Sequence, residues 1–179
     1  VMAVQQLHHV AYRCNDAKET ADFYTKLLGL EYYAAVSEDT IPSTGEKCLY
    51  MHIFFAMADG SCVAFFEVPE APPAIKDTNT PAWVQHLALV VENEDEQLEK
   101  KAKLEAAGVD VIGPMDHGFC KSIYFHDPNG HRLELTVRTE TPEMMERLRS
   151  TSEPMLEEWT KTKTVQRDAA WVHDGTAAE

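Results

Sequence analysis

Lys121-Ser122-Ile123-Tyr124-Phe125-His126-Asp127-Pro128-Asn129-Gly130-His131-Arg132-Leu133-Glu134-Leu135 is the stretch that decides the fold. Its centre, Asp127-Pro128-Asn129-Gly130, is strong turn chemistry, because Pro presets one backbone angle and Asn or Gly accepts positive φ. Two strands flank such a turn. In the returning strand, His131–Val137, large polar and apolar residues alternate, which puts Arg132, Glu134 and Thr136 on one face and Leu133 and Leu135 on the other. A carboxylate in mid-strand, away from the hairpin tip, is costly to bury unless something pairs with it. The expected partner of Glu134 is a metal ion, with two upstream histidines completing the site.

Working outward, the same order of elements occurs twice. Leu7–Arg13 alternates as a strand, with His9, Ala11 and Arg13 on one face. Asn15 or Asp16 is placed to cap a helix over Ala17–Leu28, closed by Gly29. Leu30–Val36 reads as a strand and Ser37–Glu46 as a polar loop. Lys47–Met57 and Ser61–Val68 form a hairpin around the turn at Asp59-Gly60. Pro69–Pro81 holds four prolines and little periodicity, so it reads as a linker. The order then recurs: a strand over Trp83–Val91 with His86 in the place of His9, a helix over Glu92–Ala107 closed by Gly108, and a short strand over Val109–Ile112. The loop Gly113–Gly118 leads into the hairpin already described.

This is an internal duplication. His9 and His86 are 77 residues apart but Glu67 and Glu134 only 67, which puts about ten extra residues in the first copy, at Ser37–Glu46. The expected fold class is α+β: two tandem βαβββ modules with a C-terminal helical extension. The paired modules span 1–139 (module 1 about 5–69, linker 70–82, module 2 about 83–139), and a helix and tail fill 140–179. Thr141-Pro142-Glu143 is a helix start, with Thr as cap and Pro at the first helical position. That helix is expected to break at Pro154 and end near Lys163. Gln166–Glu179 reads as a loose tail from which Trp171 and Val172 can dock.

With 179 residues, 44% of them hydrophobic, the chain is long enough for one globular domain with a real core. A net charge of -14 makes nucleic acid and anionic membrane surfaces poor partners. No apolar run approaches the ~20 residues that span a bilayer. Val1–Gln6 shows no basic region followed by an apolar segment, and Cys14, Cys48, Cys62 and Cys120 lack CxxC spacing. Reduced thiols and a cytoplasmic protein are expected.

Several motifs then carry a resemblance. His9-Val10, Asp22-Phe23-Tyr24-Thr25-Lys26-Leu27-Leu28-Gly29-Leu30, His86-Leu87-Ala88, Asp127-Pro128-Asn129-Gly130 and Glu134 together resemble the vicinal oxygen chelate superfamily. It includes glyoxalase I, methylmalonyl-CoA epimerase, extradiol ring-cleaving dioxygenases and the bleomycin- and fosfomycin-resistance proteins. The resemblance covers about Leu7–Val137 and implies that the two βαβββ modules form a curled mixed sheet around a metal site, with ligands on the first and last strands of each module: His9, Glu67, His86 and Glu134. Two imidazoles and one carboxylate with open positions are the arrangement of non-haem Fe(II) oxygenases. His8 is turned away by strand alternation, and His52, His126 and His131 read as structural or surface residues.

Glu67 separates two mechanisms. As fourth ligand it implies a glyoxalase I-like lyase or epimerase using Ni(II), Co(II), Mn(II) or Zn(II), in which a carboxylate shuttles a proton between adjacent carbons. Without it, His9, His86 and Glu134 leave room for a catecholate and O2. Asp116-His117-Gly118 followed by Lys121–Phe125 resembles the extradiol enzymes, which implies His117 as acid-base and Tyr124 bonding the substrate oxygen. Arg13 matches an arginine that binds the glutathione carboxylate in glyoxalase-like enzymes. The preferred expectation is an extradiol-type dioxygenase with Fe(II), acting on a small catecholic or aromatic substrate as a homodimer. A non-catalytic drug-binding protein is the remaining class, and the intact ligand set argues against it.

Overall fold

The computed structural model describes residues 3–73 and 77–172. Among the described residues, eight strands make two four-stranded mixed sheets with the same order, β1-β4-β3-β2 and β5-β8-β7-β6. The first comprises β1 (His9–Cys14), β2 (Glu31–Thr40), β3 (Lys47–Ala56) and β4 (Cys62–Glu67); the second comprises β5 (Leu87–Val90), β6 (Ile112–Asp116), β7 (Cys120–His126) and β8 (Arg132–Arg138). In each, the first and last strands run parallel side by side, β1 with β4 and β5 with β8. The expected duplication of βαβββ modules is thus present in the strand order itself.

The chain divides into two compact units: 1–86 with the hairpin tip 126–132, and 87–125 with 133–179. In the first unit, helix α1 (Ala17–Asp22) starts at Asp16, whose carboxylate accepts from Glu19 N at 2.8 Å, and runs on as one π-helical turn, Phe23–Leu27. That turn brings Tyr24, wholly buried, against Phe55 and Phe65, ring centroids 5.4 and 4.9 Å away. The hairpin tip joins this core, since Asp127 accepts from the Tyr24 hydroxyl at 3.1 Å. In the second unit, helix α2 (Glu94–Ala106) is capped by Asn93, which accepts from Glu96 N. Its buried Gln97 donates to the carbonyls of Lys121 and Leu135 at 2.9 and 2.8 Å, tying α2 to β7 and β8.

Four expectations are corrected. β2 continues through Ser37–Thr40, because its pairing with β3 extends to Thr40 opposite Lys47; the polar residues there lie on an exposed hairpin rather than in a loop. β5 begins only at Leu87: a turn in which Val84 N bonds Pro81 O takes up Trp83 and leaves His86 just before the strand. β6 covers Ile112–Asp116, starting at the last residue of the expected strand and running into the expected loop, paired to β7 with a bulge. Helix α3 (Pro142–Thr162) passes through Pro154 unbroken, and the hydroxyls of Thr151 and Ser152 bond carbonyls in the turn before it. Trp171 and Val172 do dock, in a cluster with Met144 and Leu148. The rest of the expected tail, 173–179, lies outside the described residues. All four cysteines are free thiols, and burial pushes the Cys14 thiol up to about 11.

Candidate active site

Strand register sorts the first sheet's side chains by face. His9 is opposite Cys62, Ala11 opposite Ala64 and Arg13 opposite Phe66; across β4, Phe66 is opposite His52 and Ala64 opposite Phe54. Partners in register share a face, so His9, Ala11, Arg13, His52, Phe54, Ala64 and Phe66 stand together. Ring contacts agree: His9 lies 5.7 Å from Phe54 and 6.2 Å from His52, and His52 stacks on Phe66 at 3.6 Å. Burial, and then nearness to His9, hold the His52 imidazole below its ordinary value. Its Nε2 is buried without a hydrogen-bond partner among the described residues. Read from sequence, His52 is a structural or surface residue; carrying period-two alternation from His9 across β4 to β3 would have placed it beside His9.

Glu67 is on the other face. It pairs with Cys14 and Met51, and its carboxylate accepts from the amide of Ala17 at 2.7 Å, lining a cavity of about 590 Å³ with α1 residues, Met51 and Ile53. The expected grouping of Glu67 with His9 is therefore corrected. The second sheet shows why. There Ala88 is opposite Glu134, and Ala88 is two residues after His86; in the first sheet Ala11, two residues after His9, is opposite Ala64. Ala64, not Glu67, is the counterpart of Glu134. The offset on the last strand is 70, so the first copy carries seven extra residues rather than about ten.

The second sheet brings three expected residues together. The His117 imidazole Nε2 is 2.8 Å from the Tyr124 hydroxyl, and the Tyr124 phenol lies beside the Glu134 carboxylate. Ser122 donates to Glu134 Oε1 and meets the Thr136 hydroxyl at 3.1 Å. Burial, then the charge of Glu134, hold the Tyr124 phenol above the ordinary tyrosine value, which keeps it a neutral donor near pH 7.

Arg13 donates to the carbonyls of Val68 and Ala71 at 3.3 and 3.4 Å, fastening the start of the linker. His131 donates to Arg13 O at 2.7 Å and packs on Tyr12, a structural role as expected. His126 is exposed. His8, expected to turn away, has its Nδ1 2.7 Å from His9 Nδ1.

Whether an ion fits is a matter of donor chemistry, since among the described residues no three His, Cys, Asp or Glu side chains stand close enough to hold one. His86 Nδ1 bonds Val84 O at 3.0 Å; a carbonyl only accepts, so the neutral ring carries its proton on Nδ1 and has its lone pair on Nε2. Such a backbone bond is the usual support of a metal-binding histidine. With His9 and the buried Glu134, the donors are of the right kind for a divalent ion.

Among known proteins, the putative ring-cleaving dioxygenase MhqA of Bacillus subtilis is 29% identical over 143 residues, 78% of this chain but only 42% of that protein. The glutathione transferase FosA of Serratia marcescens is 29% identical over 135 residues, 75% of this chain and 82% of that protein. The fosfomycin resistance protein FosX of Listeria monocytogenes, solved with Mn(II) and sulfate, superposes with a TM-score of 0.56 at 22% identity, covering 79% of this chain and 97% of that one. No helix among the described residues is long and apolar enough to cross a membrane. The family model matches residues 6–135, and the chain belongs to the Glyoxalase/Bleomycin resistance protein/Dioxygenase superfamily.

Proposed function

We propose that the protein is a metal-dependent dioxygenase of the extradiol type, acting on a small catecholic or related aromatic compound. The observation that carries this reading is the series His117, Tyr124, Glu134, with the Nε2 of His117, carried by the loop before β7, at 2.8 Å from the Tyr124 hydroxyl. An acid-base imidazole, a neutral phenol donor and a ligand carboxylate in series are what deprotonation of a bound diphenol needs. Tyr124 donates a hydrogen bond to the substrate oxygen and orients it. Once Tyr124 turns its single proton from His117 Nε2 to the substrate oxygen, the freed Nε2 receives the proton of the substrate hydroxyl and returns it later. The aromatic surface beside His9, formed by Phe54, Phe66 and His52, suits a flat ring.

A divalent ion, Fe(II) by preference, would be held by His9, His86 and Glu134 and would supply Lewis-acid and redox chemistry toward a catecholate and dioxygen. The relative named as a ring-cleaving dioxygenase supports the reading, although the chain spans 42% of its length. The glyoxalase-like lyase or epimerase, with Ni(II), Co(II), Mn(II) or Zn(II), is less well supported. It needs an acid where Ala64 stands, and Glu67 bonds the start of α1 instead. Arg13, the candidate for a substrate carboxylate, holds the linker.

Anaerobic reconstitution with each divalent metal, followed by oxygen-uptake assays on a panel of catechols, tests the proposal. Oxygen consumption with the Fe(II) protein is expected. Turnover of a hemithioacetal with no oxygen uptake on any catechol would overturn it. Glu67→Gln is expected to keep metal affinity in chelator competition, whereas Glu134→Gln is expected to weaken it at least about tenfold.

A further inference from the structure

We propose that the C-terminal segment ending at Trp171-Val172 is a strap that clamps the loop bearing His117, making Trp171 a positioning residue for the acid-base group. The proposal rests on the reading of His117 given above. The family match stops at residue 135, so the strap lies wholly outside it.

His117, Gly118 and Phe119 form the short connection between β6 and β7. Three sides of this loop are held by residues of the hairpin and its exit. The His117 amide donates to Cys120 O at 2.8 Å, and the Gly118 amide to Asp116 Oδ1 at 2.7 Å. Thr139, just past β8, donates its hydroxyl to Gly118 O at 3.0 Å and its amide to Phe119 O at 3.1 Å.

The strap makes the remaining contact. Gly118 has φ of +82°, and a Cβ there would land on the carbonyl oxygen of Val172 and 2.9 Å from its Cγ1. Only glycine satisfies both conditions, the left-handed backbone and the close approach of a second chain segment. Val172 is in turn fixed by its neighbour. Trp171 is buried with Met144 and Leu148 of the first two turns of α3, the Arg147 guanidinium lies 4.1 Å from its ring centre, and its indole donates to Asp168 O at 3.1 Å. A large amphipathic plug thus sits one residue from the point where the strap presses on the His117 loop.

An imidazole in a short loop reaches Tyr124 productively over a narrow range of backbone positions, and a shift near 1 Å costs about 100-fold in rate. Removing the plug releases the strap while leaving Tyr124 and Glu134 in their strands. The effect belongs in kcat, with KM little changed.

The test uses the full chain carrying Trp171→Ala, Trp171→Phe or Met144→Ala, the last attacking the same cluster from α3. Hydrogen exchange read by mass spectrometry is expected to show amides 117–121 opening about tenfold faster in both alanine variants, with β8 unchanged and Trp171→Phe close to wild type. The ring nitrogen signals of His117 are expected to shift in the alanine variants only. With catechol as substrate and Fe(II) bound, kcat is expected to fall about 10- to 100-fold. Unchanged exchange and unchanged His117 signals in both alanine variants would overturn the strap. Faster exchange with unaltered kcat would overturn its positioning role. If wild type consumes no oxygen with any catechol, the dioxygenase reading fails, and the exchange and ring signals still decide the strap.

Discussion

Tyr24 and Asp127, 103 residues apart, form the bond that ties the hairpin tip to the first unit. Asp127 also accepts from the amides of Asn129 and His131, so the phenol donates to a carboxylate already organised by its own turn. Replacing Tyr24 with Phe is expected to cost about 1.5–3 kcal/mol in urea denaturation at neutral pH, the range for a bond to a charged acceptor. Burial, then the charge of Asp127, raise the Tyr24 phenol well above its ordinary value. The unfolded chain therefore releases this proton near pH 10 while the folded chain keeps it, and stability falls as pH rises past that point. Thermal melts from about pH 9 to about 11 are expected to decline less steeply for Tyr24→Phe than for wild type. At this scale the sequence was informative where chemistry and alternation agree: the expected neighbours His117, Tyr124 and Glu134 do stand together. Glu67 was misplaced because residue type suggested a ligand, whereas strand register, which only backbone pairing reveals, assigns the position to Ala64.

Elements were legible wherever caps and turns are local. Asp16 and Thr141 cap α1 and α3, and the Asp127-Pro128-Asn129-Gly130 turn closes its hairpin as read, whereas Asn93, the cap of α2, fell inside a helix expected to start at Glu92. Strand ends were not, since β2 and β6 extend into polar or glycine-bounded stretches only because a neighbouring strand offers hydrogen bonds. Gln97 is a further case. On α2 it looks like part of a solvated face, yet it is almost fully buried and bridges the carbonyls of Lys121 and Leu135. Gln97→Leu fits the space but leaves those acceptors without the amide. It is expected to destabilise the protein by about 1–3 kcal/mol, measured by urea denaturation, and to speed amide exchange in β7 before β5.

For the molecule as a whole, the duplication was the strongest sequence signal, and the identical strand orders carry it. Metal ligands assigned to both halves raise the question of which copies supply them. Were modules to pair between the two chains of a homodimer, one ion would take His9 from one chain and Glu134 from its partner. Mixing inactive His9→Ala and Glu134→Ala chains after unfolding and refolding is then expected to restore about a quarter of wild-type oxygen uptake, since half the dimers are mixed and each has one intact site. No recovery would place all the ligands of an ion within one chain.

The methyl group of Ala64, where the twin strand bears an acid, makes the halves chemically unequal while leaving them architecturally alike. A chain built from two second halves would bear that acid in both copies. One built from two first halves would bear alanine at that strand position in both copies. On the proposed ligand set, the number of ions a chain would hold follows from that one alanine rather than from the number of repeats.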